Sequence, residues 1–153
     1  MSQEGLIFTT ENVTLITLNN SELCFVSSVL ELLSGAGVNI DMIAQNPPQG
    51  KRSTFSFTVA DDSLGKALEA IADIREAHPD IKPIVSSGNC KLLVSCDRMR
   101  NTPGFAARLL KAAADARVDA RLITTSEIDI SILVTSADRP VAESALRQAL
   151  SEL

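Results

Sequence analysis

The sequence is short of aromatic residues and of positive charge. Its 153 residues include five Phe but no Trp and no Tyr, so aromatic side chains make up only 3% of the chain. Proteins that bind single-stranded nucleic acid stack its bases on aromatic rings, which argues against that class. A net charge of −5 at pH 7 argues against nucleic acid in general, because phosphate contacts need clustered cations. The core must therefore be built from aliphatic side chains.

Histidine and cysteine are also scarce. His78 is the single histidine in the sequence, so neither a histidine metal cluster nor a histidine-based catalytic triad is indicated. Three cysteines, Cys24, Cys90 and Cys96, form an odd set without C-x-x-C spacing, which predicts reduced thiols rather than disulfides. No apolar run is long enough to span a bilayer, and the first residues do not resemble a secretory signal. We therefore expect a cytoplasmic protein without metal or membrane.

The chain instead contains an internal repeat. The segment Phe25–Val38 matches Phe105–Val118 at an offset of 80 residues, and Phe55–Val59 matches Ile130–Val134 at an offset of 75. The difference of five corresponds to Pro47–Lys51, a loop without a counterpart in the second copy. A repeat of this length is too long for a solenoid unit. It predicts two copies of one small domain.

Hydrophobic periodicity within the first copy changes from strand to helix spacing and back, in the order βαββαβ. Asn19-Asn20 predicts a turn after the first strand, and Asp61–Ser63 supplies candidate caps for the second helix. The predicted strands and helices of this copy are Val13–Leu18, a helix from Phe25, Val38–Ala44, Ser53–Val59, a helix from Leu64, and Ile81–Ser86.

The second copy, which starts with a predicted strand at Lys91–Cys96, ends in a helix and lacks its last strand. A spare strand, Gly5–Thr9, precedes the first copy. Unpaired strand edges are costly, so we expect this segment to complete the second sheet. The prediction is an α+β chain of two ferredoxin-like units, each with a four-stranded antiparallel sheet and helices on one face. Residues 11–88 form the first domain, inserted in a second domain made of residues 1–10 and 89–153.

Three stretches of sequence resemble the tandem ACT domains of the aspartate kinase regulatory region. They are Asp41–Asn46 with the strand Ser56–Val59 that follows it, Thr102–Arg108, and Thr124–Ser131. The resemblance covers essentially the whole chain and implies the inserted topology. It also implies a small amino acid effector, usually lysine or threonine, held at a domain interface. The kinase domain of that family is absent from these residues, so the resemblance implies a non-catalytic regulatory module, a homodimer or a separate subunit of an enzyme.

The candidate ligand-binding residues lie at strand ends and before a helix. The side-chain amides of Gln45 and Asn46 can hold the ammonium and carboxylate groups of an amino acid, although they also suit a hairpin entry. Asn19–Ser21 suits ligand contacts and helix capping alike. The backbone amides of Leu23, Cys24 and Phe25, at the start of the first helix, could cradle a carboxylate. The second-copy hairpin at Ser126–Ile128 more naturally has a structural role. The candidate set is Asn19, Asn20, Ser21, Leu23, Cys24, Gln45, Asn46, Ser126, Glu127 and Ile128.

Two other functions stay open at this level. The first loop, Asn19–Cys24, lacks the Pro-Gly pair that the second copy keeps as Pro103-Gly104, and this departure favours a structural ACT module that mediates dimerisation or partner binding without a ligand. The other alternative is a small enzyme of ferredoxin-like fold that uses Cys24 or an Arg–Glu pair. A small buried thiol is the simpler interpretation of Cys24.

Overall fold

The structure is a computed structural model that describes residues 5–22 and 25–153. Short 3-10 turns lie at Asp61–Ser63 and Asp97–Asn101. The strands and helices in chain order are β1 (Leu6–Glu22), α1 (Phe25–Gly35), β2 (Ile43–Gln45), β3 (Arg52–Ala60), α2 (Leu64–Ala77), β4 (Lys82–Ser95), α3 (Phe105–Asp115), β5 (Leu122–Thr125), β6 (Asp129–Thr135) and α4 (Arg139–Ser151).

The chain divides into two compact units. One unit consists of Asn12–Ser87, and the other consists of the residues up to Glu11 together with Gly88–Leu153. The strand order is β2-β3-β1-β4 in the first of these and β1-β4-β6-β5 in the second, because β1 and β4 are long enough to contribute to both. The predicted fold class, α+β with two ferredoxin-like βαββαβ units, is confirmed.

The first unit packs α1 and α2 on one face of its sheet. In β1 and β3, the directly paired residues Ile16 and Phe57 are both fully buried beneath the helices. From α1, Phe25, Val29 and Leu33 reach the same core at the four-residue spacing of one helix face. This aliphatic packing with few rings is what the composition predicts.

The second unit repeats this arrangement with α3 and α4. Leu92 of β4 is paired with Ile132 of β6, and both are fully buried. Ile7 of β1 packs against this core, and a Cβ at Gly5 would lie 2.6 Å from Leu150 Cδ1 of α4. The start of the described chain therefore contacts the core of the second unit.

Several predicted element bounds are wrong. The segments Gly5–Thr9 and Val13–Leu18, predicted as separate strands, belong to the single strand β1 except for Gly5, which precedes it. The turn predicted at Asn19-Asn20 is an irregularity within β1. The fourth strand likewise continues from the first copy into the second as β4. The strand predicted from Val38 begins only at Ile43. The ends of these strands follow from how they pair with their neighbours, which the local sequence does not show.

Of the helix caps predicted at Asp61–Ser63, Ser63 occupies the N-cap position of α2, but its side chain makes no capping hydrogen bond. These residues form a 3-10 turn, and neither it nor α2 begins with a side-chain cap hydrogen bond. Instead, the Asp61 carboxylate accepts a hydrogen bond from Thr14 of β1. In the part of the chain that the structure describes, no helix has both the length and the hydrophobicity that a membrane crossing requires.

Candidate functional site

A β-bulge at the end of β1 shapes the candidate site. Leu18 is paired with Phe55 and Ser21 with Ser53, so two residues of β1, Asn19 and Asn20, lie opposite the single residue Thr54 of β3. The Thr54 hydroxyl donates a hydrogen bond to Asn19 Oδ1 at 3.2 Å. Bulges bend a strand and redirect its side chains, and they are frequent next to binding sites.

The β2–β3 hairpin forms the facing side of the site. The Asn46 backbone N–H donates to the carbonyl of Thr54 at 2.9 Å, and the Gln49 N–H donates to the carbonyl of Arg52 at 2.8 Å. Gly50 has a φ of +67° between them, a conformation that glycine adopts without strain. The loop that is extra in the first copy is thereby folded back on the start of β3.

Between the bulge and the hairpin lies a polar pocket of about 380 Å³, within the unit Asn12–Ser87. Its lining offers side-chain amides, hydroxyls and one guanidinium, which together can donate to a carboxylate and accept from an ammonium group. A small zwitterion therefore matches both the size and the chemistry of the pocket. The lining residues are Asn19, Asn46, Pro47, Gln49, Arg52, Ser53 and Thr54.

The structure brings together some of the predicted ligand-binding residues. Asn19 and Asn46, 27 positions apart in sequence, line the same pocket. Gln45 lies beside it, and its Nε2 donates to Ser53 Oγ at 3.3 Å. The side chains of Asn20 and Ser21, and the whole of Leu23 and Cys24, lie outside what the structure describes.

The predicted residues of the second copy belong to the other unit and make contacts within that unit. The Ser126 hydroxyl accepts hydrogen bonds from the backbone N–H groups of Ile128 at 3.3 Å and Asp129 at 3.1 Å. Glu127 forms an ion pair with Arg100 at 3.2 Å, and the Ile128 carbonyl accepts from the Cys96 N–H at 2.8 Å. These contacts support a structural role for the turn.

Sequence reasoning missed several residues of the pocket, including Arg52 and Thr54. Arg52 begins β3, and its Nη2 donates to Asp80 Oδ2 at 3.1 Å. The signal that could have found it is the loop Pro47–Lys51, which is missing from the second copy and ends immediately before Arg52. A loop confined to one of two repeats is a natural place for a function confined to that repeat.

A second concave surface lies between α1 and α2. This groove of about 680 Å³ has Leu32, Ala36 and Ala70 in its lining, and Leu32 is 43% exposed. Its rim carries the carboxylates of Glu31, Glu69 and Asp73 and the single cation Lys66, a predominantly negative set that does not favour an α-carboxylate. The polar pocket is therefore the better candidate site for an amino acid.

The described residues that could support catalysis have other contacts. His78 packs edge-on against the Phe25 ring, with 5.1 Å between ring centroids. Cys90 and Cys96 are buried, and burial raises the pKa of the Cys90 thiol above its ordinary value of 9.0. Among the described residues, no three His, Cys, Asp or Glu side chains are grouped as metal ligands would be.

Comparison with family models matches both units to one domain type. Residues 25–76 match an ACT domain model, and residues 92–150 match a second model that is also described as an ACT domain. The two matches lie in the first and the second copy of the internal repeat, respectively. The resemblance inferred from the sequence is confirmed.

The chain is also similar to aspartate kinases. An aspartokinase of Geobacillus stearothermophilus is 27% identical over 126 residues, which are 81% of this chain but 30% of that protein. The regulatory subunit of aspartate kinase from Thermus thermophilus is 25% identical, with a TM-score of 0.79, and the similarity covers 95% of each chain. The regulatory subunit from Thermus flavus is also 25% identical, with a TM-score of 0.83, and the similarity covers 94% of this chain and 95% of that one. The chain thus spans less than a third of the aspartokinase but nearly all of the regulatory subunits.

Proposed function

Because the chain belongs to the ACT-domain family, we propose that it is a regulatory module that binds a small amino acid in the polar pocket of its first unit. The observation that carries this proposal is the convergence of Asn19, Asn46 and Arg52 on one pocket of amino acid size. Their amide and guanidinium groups complement the two charges of a zwitterion. Lysine and threonine, the effectors implied by the family resemblance, are the first ligands to test.

The similarity to regulatory subunits supports a non-catalytic role. We propose that the chain acts on an aspartate kinase polypeptide, as a separate subunit or as part of a longer chain, and that it forms a homodimer. A ligand changes such an assembly only by the difference between its affinities for two arrangements. An amino acid that binds one arrangement more tightly than the other will therefore change the affinity for the partner, and the partner will change the affinity for that amino acid by the same factor.

The two units also support the proposed domain division, with the first domain inserted in the second. Ile7 packs against the second core, and Glu11 forms an ion pair with Arg139 of α4 at 2.8 Å. These contacts join the start of the chain to its last helix. The division at Glu11/Asn12 and Ser87/Gly88 differs by one residue from the boundaries predicted from sequence.

The test of ligand binding is a thermal-shift panel of the standard amino acids on the purified chain. A ligand that binds only the native state raises the Tm in a concentration-dependent manner. We expect at least one amino acid to raise the Tm at millimolar concentration, and Asn46→Ala to reduce that shift. Ser126→Ala, in the other unit, is the matched control and should leave the shift intact. If no amino acid shifts the wild-type Tm, the ligand-binding function is wrong.

A structural or interaction module remains the second candidate function, and one observation favours it. Leu6 and Phe8 lie two positions apart on β1, on the same face of the strand, and are 58% and 52% exposed. Exposed apolar neighbours of this kind are common at interaction surfaces. Under this alternative, light scattering would show a dimer that Leu6→Ser/Phe8→Ser converts to a monomer, and no amino acid would change the Tm.

A further inference from the structure

Arg52 gives the polar pocket its charge. Among the described lining residues it is the one with an ionisable side chain, while its neighbours Asn19, Asn46 and Thr54 contribute amide and hydroxyl groups. Guanidinium groups hold carboxylates more strongly than neutral donors do, because the hydrogen bonds are charge-assisted and can form in pairs. A carboxylate that enters this pocket therefore has one preferred partner.

Arg52 makes contacts through both its backbone and its side chain. Its carbonyl accepts from the Gln49 N–H at 2.8 Å, and its own N–H donates to the Gln49 carbonyl at 3.3 Å. Its Nη2 donates to Asp80 Oδ2 at 3.1 Å. A guanidinium has five N–H donors, so an ion pair through one nitrogen leaves donors for a second carboxylate. The backbone of Arg52 is thus held in place before any ligand binds, while its side chain keeps donors for a ligand.

The ion pair between Arg52 and Asp80 is exposed, with 47% and 73% of the two side chains accessible to solvent. Exposed ion pairs contribute little to folding stability. The guanidinium can therefore exchange solvent for a ligand without the loss of a structural contact. For the same reason, a variant at Arg52 should fold normally.

We propose that Arg52 binds the α-carboxylate of the amino acid ligand. The inference rests on the proposed function, since it requires that the polar pocket is the ligand site. It differs from the expectation that backbone amides at Leu23, Cys24 and Phe25 cradle this carboxylate. Arg52 is then a specificity-determining residue that selects free amino acids over amides, esters and peptides with a blocked carboxyl group.

A chemical double-mutant cycle tests the contact. The amino acid that binds the wild-type chain most tightly and its α-amide are titrated calorimetrically into wild type, Arg52→Gln and Lys51→Gln. Lys51 is the matched control, because it lies in the same hairpin and carries the same charge but does not line the pocket. Circular dichroism and the ligand-free Tm verify that each variant is folded.

In wild type and Lys51→Gln, we expect the amide to bind roughly 10- to 100-fold more weakly than the acid, as the loss of a charge-assisted hydrogen bond requires. In Arg52→Gln the acid and the amide should bind with similar Kd. Arg52→Lys keeps the charge but loses the planar guanidinium, so the ratio of the two Kd values should be intermediate. It serves as the test variant if Arg52→Gln does not fold.

The titrations distinguish a failure of the Arg52 assignment from a failure of the proposed function. If Arg52→Gln keeps the full wild-type preference for the acid, another group holds the carboxylate and the assignment to Arg52 is wrong, while the pocket can still be the ligand site. If wild type binds no amino acid at all, the proposed function itself is wrong. If Lys51→Gln loses the preference as Arg52→Gln does, the effect is one of net charge and the specific contact is excluded.

Discussion

The hydroxyl of Thr14 donates a hydrogen bond to the carboxylate of Asp61, with 2.5 Å between Oγ1 and Oδ1. Thr14 is fully buried in β1, and Asp61 directly follows β3. The same hydroxyl lies 3.0 Å from Ser87 Oγ of β4. A single threonine of β1 thus contacts both β4 and the residue that follows β3, and the carboxylate of Asp61 is used for this contact rather than for capping α2.

Replacing Thr14 should destabilise the chain. Thr14→Val keeps the shape but leaves the half-buried Asp61 carboxylate without this donor, so we expect the free energy of unfolding in urea to fall by about 1–3 kcal/mol. Thr17→Val is the control, because Thr17 forms a hydrogen bond of 3.0 Å with Ser56 on a half-exposed part of the sheet. Its loss should cost less than about 1 kcal/mol. If the two variants lost the same free energy of unfolding, burial would not determine the value of these hydrogen bonds.

The buried thiol of Cys90 should make stability depend on alkaline pH. Burial raises its pKa in the folded state, and the Arg139 charge opposes the shift. As the pH rises, the unfolded chain therefore releases this proton first, at the ordinary pKa of 9.0. The contribution of the neutral thiol to the free energy of unfolding is present below pH 9 and is lost as the pH rises through the pKa of the folded state. Urea unfolding at several pH values should show a shallower alkaline loss for Cys90→Val than for wild type. Identical slopes would contradict the prediction.

The domain division predicts where the effects of core mutations appear. Ile7→Ala should increase hydrogen exchange in the core around Leu92 and Leu109, since Ile7 packs there. Ile16→Ala should instead increase exchange around Phe57 and Ile71, in the core of the first unit. Mass-spectrometric hydrogen exchange resolves the two regions. Loosening of only the first unit by Ile7→Ala would exclude the inserted arrangement.

Of the two predicted hairpin sites, we expect the one at Asn46 to bind the ligand and the one at Ser126 to be a structural turn. Asn46→Ala removes an amide from the pocket and should weaken amino acid binding roughly 5-fold or more, with little change in stability. Ser126→Ala removes the acceptor for the N–H groups of Ile128 and Asp129 and should cost about 1 kcal/mol of stability without a change in affinity. Calorimetric titration and urea unfolding measure the two quantities. The reverse pattern would place the site in the second unit.

The repeat and the change of periodicity suffice to predict the fold class. The spacing of Phe25, Val29 and Leu33 predicts α1, and the alternation of Phe55, Phe57 and Val59 predicts β3, because local burial patterns determine both elements. The bulge at Asn19-Asn20 could not be predicted in this way. An asparagine pair is typical of a turn, and only the pairing of Leu18 with Phe55 before it and of Ser21 with Ser53 after it shows that the strand continues through it.

The candidate site was predictable only in part for the same reason. Asn19 and Asn46 are polar residues at strand ends, so their type and position indicate ligand contacts. The residue type of Arg52 gives no such signal, since a charged residue at the start of a strand is ordinarily solvated, and only the extra loop Pro47–Lys51 before it points to this position. Its role depends on the pocket and on Asp80, which is 28 residues away in sequence. Contacts of that range follow from the fold and not from a local motif.

The loop Pro47–Lys51 distinguishes the two halves of the chain, and it provides one wall of the polar pocket through Pro47 and Gln49. The second half replaces it with the short turn between β5 and β6, closed by Ser126. The five residues lie outside both aliphatic cores, so they change the surface of one unit without changing the packing of either. Such a loop can diversify freely, because neither aliphatic core depends on its length.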